Sequence, residues 1–460
     1  MCPQPPLQAN AQVLEHVGTK KTKGENGHLT NDLFQADVVV DDDIPAACAW
    51  DEVVVSLSDR TCAIRNPIRE ITEGMSPANP EKREISLSLG DPATAGLASA
   101  PEVARHALEE ALWSQTRDGY TNSCGAEDAR VAIGNSSGAD AHDVFITNGC
   151  SQALQHVFAA LAAPRANILI PRPCFPLYEV LAAYYGIECR HYELNASSGW
   201  RCDPVELGQL ADAQTAAILV CNPGNPTGAC FSAAHLREIA LAARHARVPI
   251  IADEVYAGIA WADEAFTPMS QFAKDDIVPV IEVGALSKRF VVPGWRLGWT
   301  VLHDVGGVFA RSGLRVALTK LQQISLSACS LVQAAVPAIL RDCPESYHKE
   351  LNASLRLSAE HAFHRARTSP YLICPSEPPC GAMYLMLRID LDALDDTMSS
   401  DIDFVDMLGR EESVRLLPGS CFGLPNYVRI VFAAKHDDID EAFDRIDAFC
   451  KRHGQLAEAL

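Results

Sequence analysis

Four hundred and sixty residues exceed what one ordinary core organises, so two or three domains are expected. With 48% apolar and 21% charged residues the composition is that of a soluble globular chain, and a net charge of −21 argues against nucleic acid or an anionic membrane surface as partner, since both select basic patches. No apolar run reaches about 18 residues, so no bilayer span is expected, and the N-terminus lacks the basic start and apolar core of a secretory signal, which leaves a cytoplasmic location as the expectation.

Residues 1–45 are polar and proline-bearing, with KKTKGENGH followed by Asp41-Asp42-Asp43, and read as a disordered tail. TCAIRNPIREITEG (61–74) suggests a short arm and a helix, ISLSLGDPAT (85–94) a strand ending in a turn, and PEVARHALEEALWSQ (101–115) a helix with proline at its first position. A regular alternation follows. Strands are predicted at 143–147, 167–171, 216–223, 248–256 and 278–286, with helices at 151–163, 175–186 and 232–246 between the earlier ones. Continuous apolar strands separated by helices of this length indicate a mostly parallel sheet covered on both faces. Beyond about residue 310 long helices dominate, and GAMYLMLRI (381–389), SVRLLPG (413–419) and YVRIVFA (427–433) read as strands of a smaller α+β domain, closed by an amphipathic helix over 438–453. The expected division is therefore a tail over 1–45, an arm and part of the small domain over 46–95, a large domain over 96–335 and a small C-terminal domain over 336–460. Sixteen cysteines are scattered from Cys2 to Cys450 with no C-x-x-C pair, which fits reduced thiols better than a zinc ribbon or a disulfide framework.

In such sheets ligands sit at the carboxyl ends of the strands, and the chemistry-bearing residues fall there. ALSKRFVVPGWRLGWT (285–300) follows an apolar strand and carries Lys288, with Arg296 eight residues on and a strand-like Gly298–His303 after it. A lysine among apolar neighbours and other cations can act as a nucleophile toward a carbonyl, and a nearby arginine offers a fork for a phosphate. The pair suggests a Schiff-base lysine with pyridoxal phosphate as its cofactor. TNGCSQAL (147–154) opens a helix through the amides of Gly149–Ser151, a ready phosphate site with Cys150 or Ser151 as side-chain donor, or simply a capped helix. CNPGNPTG (221–228) could aim Asn225 over the sheet, or be only a turn. Asp253, at the mouth of IIADEVY, is costly to bury without a partner; it would pair with a pyridinium nitrogen, with Tyr256 reaching the ring's phenolic oxygen, unless the two are a helix cap and a core residue. Arg429 inside YVRIVFA needs a carboxylate, supplied by a substrate or by an internal ion pair.

Together with NPIR (66–69), SLSLGDP (86–92), ILIPRPCFPLY (168–178), GAMYLM (381–386) and LLPGSCF (416–422), these stretches make the chain resemble the class I pyridoxal-phosphate-dependent aminotransferases of fold type I, and within them the enzymes acting on aromatic amino acids. The likeness runs from about Cys62 to His453. It implies an α/β fold, a large domain with a seven-stranded, mostly parallel sheet between helices and a smaller α+β domain. It implies that Lys288 carries the cofactor and shuttles the proton, that Asp253 faces the ring nitrogen, and that Asn225 and Tyr256 bond the ring oxygen. Arg296 and the amides at Gly149–Cys150 would hold the phosphate, Phe175 would stack on the ring, and Arg429 with the amide of Gly90 would hold the substrate carboxylate. Tyr120 would reach the phosphate of a neighbouring subunit, which implies a homodimer with shared sites.

Four departures stand out. Ala285 replaces a phosphate-binding serine of the aspartate-specific members, Ser287 an alanine usual in the aromatic-specific ones, the turn reads GNPTG rather than SNPCG, and the segment after Tyr120 looks several residues short. The implied reaction moves an amino group from tyrosine, phenylalanine or tryptophan to 2-oxoglutarate or pyruvate. The alternative is a β-eliminating lyase, or an aminotransferase of broader range, on the same scaffold. Metal sites are not expected.

Overall fold

A computed structural model describes residues 55–454 apart from 63, 94–95, 97, 262–265 and 276. The chain divides into two units, Met1–Cys62 and Ala63–Leu460. Of the first, the described part holds one turn of helix, Asp59–Cys62; the expected tail over 1–45 lies outside the described residues.

In the second unit, helix α1 (Pro67–Gly74) is capped by the Asn66 side chain, which accepts from the Arg69 amide, with proline where no amide is needed. Helix α2 (Glu102–Ser114) follows, with Pro101 as its N-cap residue rather than inside it. The alternation predicted after this is present. Strand β1 (Val144–Thr147) leads into α3 (Cys150–Leu161), β2 (Asn167–Arg172) into α4 (Leu177–Tyr185), and β3 (Glu188–Glu193) returns beside β2. Then come β4 (Thr215–Cys221), α5 (Ala233–Ala246), β5 (Ile250–Asp253), β6 (Val280–Ala285) and β7 (Gly298–His303). The seven strands lie in the order β1-β7-β6-β5-β4-β2-β3. The β2–β3, β2–β4, β4–β5 and β5–β6 pairs are parallel, and β7 alone runs against its neighbours β1 and β6. Every residue of β1, β5 and β6 is buried, as a sheet covered on both faces requires.

Several elements escaped the sequence pattern, including the helices Pro204–Leu210 and Asp401–Glu412. Edge strand β3 is ECRHYE, polar and mostly half-buried, the charged composition that protects a sheet edge. Helices Glu127–Ser137 and Ser330–Asp342 are rich in alanine, glycine and serine, and the second carries Pro337, so neither shows a clean apolar stripe. They form a layer with α2, packing Ala129, Ile133, Ala335, Val336 and Ile339 against Leu286, Phe290 and Leu297.

A second, four-stranded antiparallel sheet contains Leu372–Ile373, Tyr384–Ile389, Leu417–Pro418 and Tyr427–Val431. The long helix Glu345–Thr368 and the C-terminal helix His436–Arg452 pack on it through Leu355, Ala359, Ala362, Phe443 and Ile446. Several expected strands are shorter than their apolar runs, 248–256 being only Ile250–Asp253. The 85–94 strand is only Ile85–Ser86, paired in parallel with Val414–Arg415, and 413–419 is split into Val414–Arg415 and Leu417–Pro418. The Leu87 amide still bonds the Arg415 carbonyl, and beyond it the carbonyls of Ser88 and Gly90 accept side-chain hydrogen bonds from Arg429 and Lys288. No disulfide joins the described cysteines. Among the described residues, no helix is long and apolar enough to cross a membrane.

Candidate active site

The turns that follow β1, β2, β4, β5 and β6 open at one edge of the large sheet. Because β7 is antiparallel, its entrance, with Arg296, lies at that edge too. These turns, α1 and the small sheet enclose a cleft of about 350 Å³. Of the predicted residues, Gly90, Cys150, Ser151, Phe175, Asn225, Asp253, Tyr256, Lys288, Arg296 and Arg429 line it. Gly149 is the N-cap of α3, directly behind Cys150.

Asp253 ends β5 and is 3% exposed. Tyr178 on α4 donates to its Oδ2 at 2.6 Å, the Val255 amide donates to Oδ1 at 3.2 Å, and the Cys150 Sγ lies 3.7 Å from Oδ1. Burial nonetheless outweighs these donors and pushes the Asp253 carboxyl above its usual range. The carboxylate is thus hydrogen-bonded, yet no cation among the described residues meets it. Burial, and then Asp253 itself, also keep the Tyr178 hydroxyl and the Cys150 thiol protonated. The Cys150 side chain is turned to Asp253, so of the two side-chain donors foreseen at the α3 N-terminus Ser151 is the exposed one.

Lys288 sits in the tight turn after β6, where the Phe290 amide bonds the Leu286 carbonyl and the Val292 amide that of Ser287. Its Nζ reaches across to the Gly90 carbonyl at 2.5 Å. Arg296 holds a left-handed backbone (φ 51°), a strain that an active-site residue can carry when its surroundings over-determine it. It donates to the carbonyls of Pro293 and Asn148 and meets no carboxylate among the described residues. Gly149, with φ 81°, packs beneath it: a Cβ there would lie 2.3 Å from Arg296 Nη2. Only glycine lets the start of α3 and this guanidinium share one wall, the pattern of an anion cradle.

On the opposite wall Arg429 is 3% exposed, in the central part of the small sheet. Nη1 donates to Asn225 Oδ1 at 2.9 Å and Nη2 to the Ser88 carbonyl at 2.6 Å, while the buried Nε has no partner. The Tyr384 and Phe422 rings flank the guanidinium at 4.4 and 4.6 Å. The internal ion pair weighed from the sequence is therefore not made: no carboxylate meets Arg429 among the described residues, and burial lowers its hold on the proton. Asn225 sits in a turn whose Asn222–Pro223 and Asn225–Pro226 bonds are cis, and with its oxygen taken by Arg429 it has its amide nitrogen left to offer. The Tyr256 hydroxyl lies 2.6 Å from that of Tyr384, so Tyr256 is neither an isolated core residue nor, in this structure, bonded to Asn225. Phe175 stands edge-on to Tyr178 at 5.9 Å.

Tyr120 is not in this cleft; it is 93% exposed, beside Leu326 and Ser327. Ala285 is buried in β6, and Ser287 lines the cleft next to the lysine. Sequence reasoning missed Tyr178, Tyr384, Asn66 and Arg69 as wall residues. Tyr178 was legible in principle, one helical turn from Phe175, and Tyr384 stood inside GAMYLM, but an aromatic residue in an apolar run is read as core.

Comparison with known proteins agrees with this geometry. Residues 82–446 match the family described as aminotransferase class I and II. A probable aminotransferase of Arabidopsis thaliana is 42% identical over 380 residues, 81% of this chain and 91% of that protein. The tyrosine aminotransferase of Mus musculus is 38% identical over 410 residues, 87% of this chain and 88% of its own length. Among solved structures, the tyrosine aminotransferase of Leishmania infantum superposes with a TM-score of 0.82 at 30% identity, covering 88% of this chain and all of that one. The fold is that of the fold type I aminotransferases, and the chain belongs to the class I and II aminotransferase family.

Proposed function

We propose that this protein is a pyridoxal-phosphate-dependent aminotransferase that transfers the amino group of an aromatic amino acid (tyrosine, phenylalanine or tryptophan) to a 2-oxo acid, in two half-reactions at one site. The observation that carries this reading is one cleft holding an amine, Lys288, a buried carboxylate, Asp253, and two arginines, Arg296 and Arg429, none of these three charges having a counter-charge among the described residues. The similarity to tyrosine aminotransferases supports the aromatic donor.

The residues fit the cofactor. A protonated ring nitrogen supplies the cation that Asp253 lacks, and a phosphate fits the wall formed by Gly149, the first amides of α3, Ser151 and Arg296. When bound, pyridoxal phosphate supplies an aldehyde for the amine to condense with and a ring that accepts electron density from the substrate carbon. The chain does the rest. Lys288 Nζ would be the amine that holds the cofactor and the base that takes the proton from the substrate Cα. The Gly90 carbonyl gives that nitrogen a fixed resting place on the cleft wall. Asp253, kept in place by Tyr178 and the Val255 amide, balances the ring's charge. Asn225 and Tyr256 would be donors for the ring's phenolic oxygen, and Phe175 would cover its face. Arg429, held by Asn225 and Ser88, orients the α-carboxylate, with the Gly90 amide beside it. Arg69, at the cleft wall and in no ion pair among the described residues, suits the second carboxylate of 2-oxoglutarate, which pyruvate lacks.

On this reading the large domain (96–335) supplies the cofactor wall, while Asn66, Arg69 and Gly90 of the arm, with the small domain (336–460), supply the substrate wall. Tyr120 serves the phosphate of a partner subunit in a homodimer. Its exposure, and that of Trp113, Ile324 and Leu326, support a face to be covered by a second copy. The test is reconstitution with pyridoxal phosphate and an amino-acid panel, each donor offered with 2-oxoglutarate or pyruvate. Formation of the aromatic 2-oxo acid, lost by at least ~10⁴-fold in Lys288→Ala, is the expected result. Release of ammonia and pyruvate from cysteine conjugates without amino transfer would favour a lyase instead. Turnover that survives in Lys288→Ala would overturn the assignment.

A further inference from the structure

Tyr384 has no place in the reaction as described, yet it touches three of the residues that do: Tyr256, Arg429 and Gly90. It lies on the small-sheet strand beside Arg429's, two residues from Met386, which pairs directly with Arg429. Side chains at this diagonal offset share a face of the sheet. Its ring accordingly lies against the Arg429 guanidinium, 4.4 Å from centroid to carbon. Its edge meets the Tyr256 ring at 85° and 5.7 Å, and the two hydroxyls are 2.6 Å apart in a buried setting. It also packs on Gly90 so closely that a Cβ there would fall 2.1 Å from its hydroxyl oxygen. Gly90 in turn carries the carbonyl that holds Lys288.

We infer that Tyr384 is a positioning residue with two separable functions: its hydroxyl orients the Tyr256 hydroxyl toward the cofactor's phenolic oxygen, and its ring face holds the Arg429 guanidinium in place for the substrate carboxylate. A tyrosine hydroxyl has one hydrogen to donate. When Tyr256 gives its hydrogen to the ring oxygen, its own oxygen is free to accept, and Tyr384 is the donor within reach. A donor at that oxygen strengthens the bond Tyr256 makes. The ring function rests on different atoms. Arg429 has only two of its three nitrogens hydrogen-bonded and no carboxylate beside it, so the flanking rings of Tyr384 and Phe422 define its plane.

This inference depends on the cofactor assignment above, and the experiment tells the two apart. Cofactor-loaded wild type, Tyr384→Phe, Tyr384→Leu, Tyr256→Phe and the Tyr256→Phe/Tyr384→Phe double variant are titrated with pH while the cofactor's visible absorbance is followed, and amino-acid KM and kcat are measured for each. Tyr384→Phe is expected to move the absorbance midpoint by about half a pH unit, the scale of one neutral hydrogen bond, with little change in KM. Tyr384→Leu should show the same movement and, in addition, a KM raised about tenfold with a smaller change in kcat. In the Tyr256→Phe background, removing the Tyr384 hydroxyl should have no further effect on the midpoint. An unmoved midpoint in Tyr384→Phe, or the same movement with and without Tyr256, overturns the hydroxyl's function. An unchanged KM in Tyr384→Leu overturns the ring's. A wild-type protein that takes up no cofactor would strike down the functional reading itself.

Discussion

The two walls of the cleft each bury a charge, and the protein answers the two charges differently. On the large-sheet wall, Asp253 is met by a tyrosine hydroxyl, a backbone amide and a thiol, all from elements locked into the core. On the small-sheet wall, Arg429 is met by one carbonyl, one amide oxygen and two ring faces, and one of its nitrogens is left without a partner. The first wall suits a group that stays, because its hydrogen bonds are complete and lack only a counter-charge. The second suits a group that comes and goes, since what it lacks is a carboxylate.

That contrast can be broken most decisively at Asp253. Asp253→Asn should lower kcat by roughly 10³-fold, the scale of a lost preorganised electrostatic contact. Thermal stability of the cofactor-free protein should hold or rise, because a buried carboxylate with no cation opposes folding at neutral pH. A fall in stability as large as the fall in activity would show that the aspartate is structural.

The opposite pattern is expected at Arg429. Arg429→Leu should raise amino-acid KM by about 10²-fold, the worth of two charge-assisted hydrogen bonds, while cofactor uptake, followed by absorbance, stays unchanged. Loss of both together would erase the distinction between the walls.

A smaller effect sharpens the comparison through pH. His348 packs against Phe290, two residues past the lysine, with the ring centres 5.4 Å apart, and burial, aided by nearby Arg289, lowers its pKa from 6.5 to about 4. Between those values the folded protein binds fewer protons than the unfolded chain. Stability from this group is therefore complete above pH 6.5 and is lost as pH falls toward 4. Melting temperatures measured across that range should decline less steeply in His348→Phe than in wild type. Equal slopes would remove His348 from the account.

Much of the large-sheet wall was legible in the chain, for reasons particular to it. The residues at the strand ends follow continuous apolar runs, and a charged or polar residue after such a run is conspicuous: Lys288, Asp253 and Asn225 each stood out this way. The small-sheet wall was harder to read. Arg429 was visible as a charge in a strand, but whether a carboxylate met it depended on residues from 88, 225, 384 and 422, which no local pattern joins. Between Cys150 and Ser151 the chain left the choice of side-chain donor open, because a helix start predicts where amides point and not which way one side chain turns.

By itself the sequence determined most strands and helices of the large domain, that the sheet is mostly parallel, and which edge gathers the reactive groups. Those properties follow from apolar periodicity and chain connectivity, both of which are local or nearly so. The tertiary structure decided the partners. That Tyr178 supports Asp253, that Tyr384 bridges Tyr256 and Arg429, and that both buried charges lack counter-ions are outcomes of packing between residues as far apart as 75 and 128 positions in the chain. A hydrogen bond of that span is set by how helices and sheets stack, and stacking is a property of the whole fold rather than of any stretch within it.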